Sequence, residues 1–204
     1  MSIRQTLPAS RQLDLLGGAH AMTVDVHRLF FALMPDQATR ARLTQVAATL
    51  RAEHPALRAR WVAPDRYHVT LHFLGDHPTL RPDIVAATTH AAAGIRATPF
   101  EWTLDRALSF RGREPPCVLR NAEHSAPLQQ LWQALGHALA LAGQATSRER
   151  EFTPHVTLAY GRSALPQALA VEPVPWPVQE FALIQHVLGQ GAYQLLGRWP
   201  LAAA

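Results

Sequence analysis

Hydrophobic and polar positions along the chain switch repeatedly between a strand period and a helix period. Residues 26–33 (VHRLFFAL) read as a strand that stops at Pro35. Beyond it, Leu43, Val46, Ala47 and Leu50 recur at helical spacing, so a helix capped by Asp36 runs to about Glu53. A short strand is predicted over 58–62 and a longer one over 67–75. Pro82 opens an alanine-rich helix that reaches 97. Residues 100–110 alternate as a strand, with 116–120 as its partner. Ser125 caps a helix whose apolar stripe is Leu128, Leu131, Trp132, Leu135 and Leu139, and Gly143 ends it. A charged loop (Arg148, Glu149, Arg150, Glu151) leads to a strand over 154–160. Pro166, Pro173, Pro175 and Pro177 read as an irregular connector, and strands over 180–188 and 192–199 close the chain.

One stretch repeats. Tyr67-His68-Val69-Thr70-Leu71-His72-Phe73-Leu74-Gly75 is echoed by Pro154-His155-Val156-Thr157-Leu158-Ala159-Tyr160-Gly161. The shared core is His-Val-Thr-Leu, followed by an aromatic and a glycine. Internal repeats point to a duplicated unit. Two αβ units, each too small to bury its own sheet, would pack as two lobes about a pseudo-two-fold axis. The fold class is therefore α+β, a single bilobal domain over 23–204. Residues 1–22 are expected to form a tail, with Met22 a candidate native start. That tail has only a short 13–16 apolar patch and no signal-peptide core.

Side chains alternate faces along a strand. Within each copy His and Thr share one face, outward or toward a cleft, while Val and Leu share the core face. Duplication would set two imidazoles and two hydroxyls opposite each other. Histidine is the side chain that gives or takes a proton near neutral pH. Two of them can serve as acid and base on opposite sides of one phosphorus. The threonines can hydrogen-bond the phosphate oxygens. No metal, cofactor or covalent nucleophile is required. His72 also shares the His68 face at i+4, but that spacing is roughly 13 Å on a strand, too far for one ion.

Composition sharpens this. All 19 basic residues are arginine, and the formal net charge is +4. A chain without lysine has no P-loop lysine, no Schiff base and no lysine to carry a covalent nucleotide. The hydrophobic fraction of 48% and charged fraction of 17% exclude a disordered chain. Cys117 is the single cysteine, so no internal disulfide forms, which fits a reducing, cytoplasmic setting. No apolar run approaches the length of a membrane span.

With its paired motifs the chain resembles the two-histidine phosphoesterase superfamily. Within that, it is similar to the bacterial and archaeal RNA 2',3'-cyclic phosphodiesterases, also called 2'-5' RNA ligases. The resemblance runs from about Val26 to Leu201. It also rests on the 28–33 strand, Trp61-Val62 with Pro64, the phrase Arg150-x-Phe152-x-Pro154-His155, and the ending Arg198-Trp199-Pro200-Leu201. It implies two antiparallel sheets facing a central cleft, with helices outside. It implies opening of a 2',3'-cyclic phosphate at an RNA end to a 2'-phosphate, and 2'-5' joining of tRNA halves without ATP, by a monomer. His68 would be the proton donor and His155 the acceptor, with Thr70 and Thr157 on the phosphate. Relatives often carry an arginine five residues after the second histidine. Here that place is Tyr160, which leaves Tyr160 or Arg162 to serve instead.

Arg150 is a candidate for binding phosphate, Phe152 for stacking on a base, and Arg28 for lining the cleft. Tyr67, Cys117, Trp102 and Trp132 read as core. His186 reads as a surface residue on a late strand, and Arg111 and Arg113 as a solvated turn. Two other readings stay open: a phosphodiesterase of small cyclic nucleotides, such as an ADP-ribose cyclic phosphate, and a module that binds RNA ends without turnover.

Overall fold

The computed structural model describes residues 25–144 and 151–202. The predicted tail and Arg150 lie outside the described residues. Nine strands build two antiparallel sheets among those residues. One has the order β3-β1-β8-β9, from β3 (Val69–His77), β1 (His27–Leu33), β8 (Glu180–Val187) and β9 (Tyr193–Pro200). The other has the order β2-β6-β5-β4-β7, from β2 (Arg60–Trp61), β6 (Val156–Tyr160), β5 (Pro116–Arg120), β4 (Phe100–Ser109) and β7 (Leu169–Val178). The sheets do not divide the chain at one point: β1, β3, β8 and β9 share one sheet, and β2 with β4 to β7 form the other. Each sheet holds one copy of the repeated motif.

Three helices cover the sheets. In α1 (Gln37–Glu53) the Asp36 carboxylate accepts the Thr39 N–H at 2.7 Å, and Leu43, Val46, Ala47 and Leu50 are buried toward β7. Helix α2 (Pro82–Ala93) packs on α3 (Ala126–Leu141), which leans on β3. Leu128, Leu131, Leu135 and Leu139 of α3 are buried, each stabilising the fold by about 1.5–3 kcal/mol. Ser125 does sit at the N-cap of α3, but its hydroxyl makes no capping bond. Trp102, Cys117 and Tyr67 are buried as expected. Among the described residues no helix is long and apolar enough to cross a membrane.

The proline-rich connector proves to be a strand. Pro173, Pro175 and Pro177 all lie in β7, which pairs with β4 at the edge of its sheet. Spaced two apart, their nitrogens point the same way, toward the open edge, where no ladder bond is lost. The alternate residues Val174, Trp176 and Val178 are buried. Prolines in this phase also block edge-to-edge pairing with another chain.

Candidate active site

Both motif strands carry a bulge in the same place, and it decides which residues face the cleft. On β3, Thr70 pairs with Ala32 and His72 with Phe31, so Leu71 is the extra residue. On β6, Thr157 pairs with Val118 and Ala159 with Cys117, so Leu158 is extra. An added residue resets the alternation of faces. After each bulge the next cleft-facing side chain is the aromatic five residues past the histidine: Phe73 on β3, Tyr160 on β6. His72 therefore leaves the His68 face, contrary to the simple alternation expected. It is buried under α3, and its Nε2–H donates to the Trp132 carbonyl at 2.8 Å. Gly136 makes that seat possible, since a Cβ there would lie 2.9 Å from His72 Cε1.

The cleft between the sheets has a volume of about 780 Å³, and His68, Thr70, His155 and Thr157 all line it. Each histidine is fixed by a matching bond. His68 Nδ1–H donates to the carbonyl of Arg66 at 2.8 Å, and His155 Nδ1–H to that of Thr153 at 2.7 Å. A carbonyl only accepts, so Nδ1 holds the proton in each ring, and Nε2 is the nitrogen that can gain or lose one.

Their surroundings differ. His68 packs against Phe30, with centroids 5.1 Å apart, and meets the edge of Tyr193 at 5.4 Å. Burial pushes its pKa down to about 4, and the positive charges of His155, Arg66 and His186 act the same way, while the Arg66 carbonyl opposes them. His68 is thus neutral at pH 7 before any anion arrives. His155 meets Phe110 edge-on at 4.8 Å.

Arginines reach the cleft in three ways. Arg28 does line it, but forms a bidentate pair with Asp76 at 2.8 Å. Its guanidinium also stands 5.7 Å from the centre of Phe73. Arg66 lies over Tyr193 at 5.3 Å, and its NH2 is 3.4 Å from His186 Nε2. Arg60, on β2, stacks over Tyr160 at 4.9 Å. Of the two residues expected to serve there, Tyr160 lines the cleft, while Arg162 is exposed and does not. The cation over Tyr160 is Arg60. Gly161 turns the chain away after Tyr160: its N–H bonds to Pro115, and the next N–H, of Arg162, bonds to Leu57.

Phe152 lines the cleft with its ring stacked on Trp132, centroids 5.2 Å apart and planes 1° off parallel. Trp132 in turn stacks on His72. Trp132 is therefore half-buried, a bridge from β3 to the approach of the second motif rather than plain core. His186, expected at the surface, is buried at the cleft and bonds to the Gln190 carbonyl at 3.0 Å. Arg111 and Arg113 are exposed and stay outside the cleft.

Sequence reasoning missed Phe30, Arg60, Arg66, Phe110 and Tyr193. Phe30 alone had a signal, since it shares the Arg28 face at i+2 on β1. The others arrive by cross-strand pairing or from loops.

Comparison with known proteins follows the same lines. The family model described as the 2'-5' RNA ligase superfamily matches residues 34–190. The RNA 2',3'-cyclic phosphodiesterase of Thermus thermophilus is 29% identical over 170 residues, 79% of this chain and 82% of that protein. The crystal structure of E. coli LigT in apo form is 30% identical, with a TM-score of 0.69, over 87% of this chain and 98% of that one. The same protein complexed with 3'-AMP gives a TM-score of 0.68 at 30% identity, over 86% and 98%.

Proposed function

This chain belongs to the 2'-5' RNA ligase superfamily, and we propose that it hydrolyses RNA 2',3'-cyclic phosphate ends to 2'-phosphates without a metal. The observation that carries the reading is the pair of His-x-Thr motifs, each histidine tied through Nδ1 to a backbone carbonyl, both lining one cleft. The similarity to a protein named RNA 2',3'-cyclic phosphodiesterase supports it.

In the proposed reaction His155 Nε2 takes a proton from water as the water oxygen attacks phosphorus. The bond from phosphorus to the 3' oxygen breaks in line, and His68 Nε2–H protonates that oxygen. A 2'-phosphate remains, and both histidines return to their starting states by exchange with solvent. Each proton transfer is worth about 10² to 10⁴ in rate. Thr70 and Thr157 donate to the non-bridging oxygens. Neutral His68 becomes a donor because the cyclic phosphate brings a negative charge into the cleft, which favours the imidazolium. The nearby Arg66 favours entry of that anion.

With a 5'-hydroxyl in the place of water, the same steps would form a 2'-5' linkage. The energy would come from the strained cyclic phosphate, since no lysine exists to carry AMP. Such work on RNA ends, tRNA halves included, fits a cytoplasmic monomer. The test is incubation with a cyclic-phosphate-ended oligonucleotide in EDTA, followed by product identification. A 2'-phosphate product supports the roles given to His68 and His155. A 3'-phosphate product reverses the leaving group, and tight binding without turnover would make the protein an end-binding module.

A further inference from the structure

The two strands that carry the motifs also carry two alike stacked pairs, and the pairs differ in charge. Past His68, Phe73 bears Arg28 on its face. Past His155, Tyr160 bears Arg60. Arg28 is neutralised by Asp76 in a bidentate contact. Arg60 has no carboxylate within ion-pair distance among the described residues. It is exposed on a two-residue strand, opposite Tyr160 in register, and lines the cleft. A guanidinium held over an aromatic ring has lost much of its rotamer freedom while keeping N–H donors for an anion. Arg66, the other cleft arginine without a carboxylate among the described residues, is wedged against Tyr193 and His186 with a buried Nε. It belongs to the wall beside His68.

We infer that Arg60 on Tyr160 is a phosphate subsite for the nucleotide that precedes the cyclic end. The reacting phosphorus must lie between the Nε2 atoms, beside Thr70 and Thr157. Tyr160 is three residues past Thr157, roughly 10 Å farther along β6. An RNA strand that leaves the reacting phosphate along β6 passes the Arg60 guanidinium, which lies 4.9 Å over the Tyr160 ring. The equivalent position on β3 offers no net charge. The chain therefore leaves the histidines along β6 toward Arg60, not along β3 toward Arg28. The substrate class this selects is a strand of two or more nucleotides rather than a cyclic mononucleotide. This rests on the cyclic-phosphate reading above.

The test compares a cyclic-phosphate-ended dinucleotide with the cyclic mononucleotide, in the full-length wild type, Arg60→Gln, Arg60→Lys and Arg162→Gln. The subsite predicts that Arg60→Gln lowers the ratio of dinucleotide to mononucleotide kcat/KM about tenfold or more. It also flattens the salt dependence on the dinucleotide, by about 0.7 in the log–log slope for one lost phosphate contact on a single strand. Arg60→Lys keeps the charge without the guanidinium over the ring and falls between. Arg162→Gln matches wild type. Equal losses on both substrates would place Arg60 at the reacting phosphate and overturn the subsite, as would no loss on either. Direct binding of the 2'-phosphate-ended dinucleotide and mononucleotide, by calorimetry, separates this from the proposed activity. If the wild type turns nothing over, the hydrolysis reading fails. The subsite still stands if Arg60→Gln weakens dinucleotide binding selectively, and falls if it does not.

Discussion

The motif glycine is Gly75 within β3, seven residues past His68, and Gly161 just after β6, six residues past His155. Each closes its motif, yet each is required for a different reason. Gly75 holds φ at +114°, a conformation that side chains rarely adopt. Gly161 has no such φ, but a Cβ there would lie 2.5 Å from the Ser163 carbonyl oxygen. The rest of the two copies follows this rule. The backbone is repeated closely, down to a bulge at Leu71 and Leu158 and a carbonyl on each Nδ1. What surrounds the backbone has diverged: a tied Arg28 against an open Arg60, and a His68 pressed by Phe30 and Tyr193 against a His155 beside Phe110. The surroundings make the two imidazoles unequal, as the proposed acid and base would require.

The comparison breaks most sharply at the histidines. Replacing either His68 or His155 with Ala is expected to lower kcat at least about 10³-fold, with circular dichroism unchanged. The double variant should lose little more than the worse single, because the two act on one transition state. Additive losses, measured by single-turnover kinetics, would mean the copies work independently.

The glycines come next. Gly161→Ala meets backbone that cannot yield and should cost about 2–4 kcal/mol. Gly75→Ala adds φ strain and a tight but movable His77 ring, for about 1–2 kcal/mol. Urea denaturation checks the order, and the reverse order would contradict the reasons given.

His68 also makes stability depend on pH. Its folded pKa of about 4 lies below the ordinary 6.5. The unfolded chain therefore takes the proton more readily. Full stability is present above pH 6.5 and is lost as pH falls from there toward 4. The loss is on the order of 3 kcal/mol. His68→Gln should flatten this part of the stability curve, and an unchanged slope would place the pH dependence elsewhere.

The smallest effect is expected at Asp76. Both partners of its pair with Arg28 are about 40% exposed. Asp76→Asn should change stability by less than about 1 kcal/mol. It would free Arg28 and tighten binding of inorganic phosphate two- to three-fold at low salt, making the β3 side more like the β6 side. Weaker phosphate binding would contradict the view that Asp76 silences Arg28.

Much of this was legible in the sequence because it rests on local pattern. The helix stripes and the strands of the repeat follow from period alone, and the His-Val-Thr-Leu copies carry their own chemistry. What escaped rests on contacts between strands. A bulge leaves no mark in the sequence, so His72 was placed on the wrong face. Pro173, Pro175 and Pro177 read as an irregular connector, because only the sheet order reveals an open edge. Arg60 gains its meaning from register with Tyr160, which nothing in residues 58–62 announces. Arg162, close to Tyr160 in sequence, turned out farther from the cleft than a residue one hundred positions earlier in the chain.

The most direct test of two unequal histidines on one phosphorus is ³¹P NMR of a cyclic-phosphate-ended oligonucleotide incubated with wild type, His68→Ala and His155→Ala in EDTA. The account predicts conversion of the cyclic signal to a 2'-phosphomonoester by the wild type alone. An unchanged cyclic signal with the wild type, or full conversion by either variant, would contradict it.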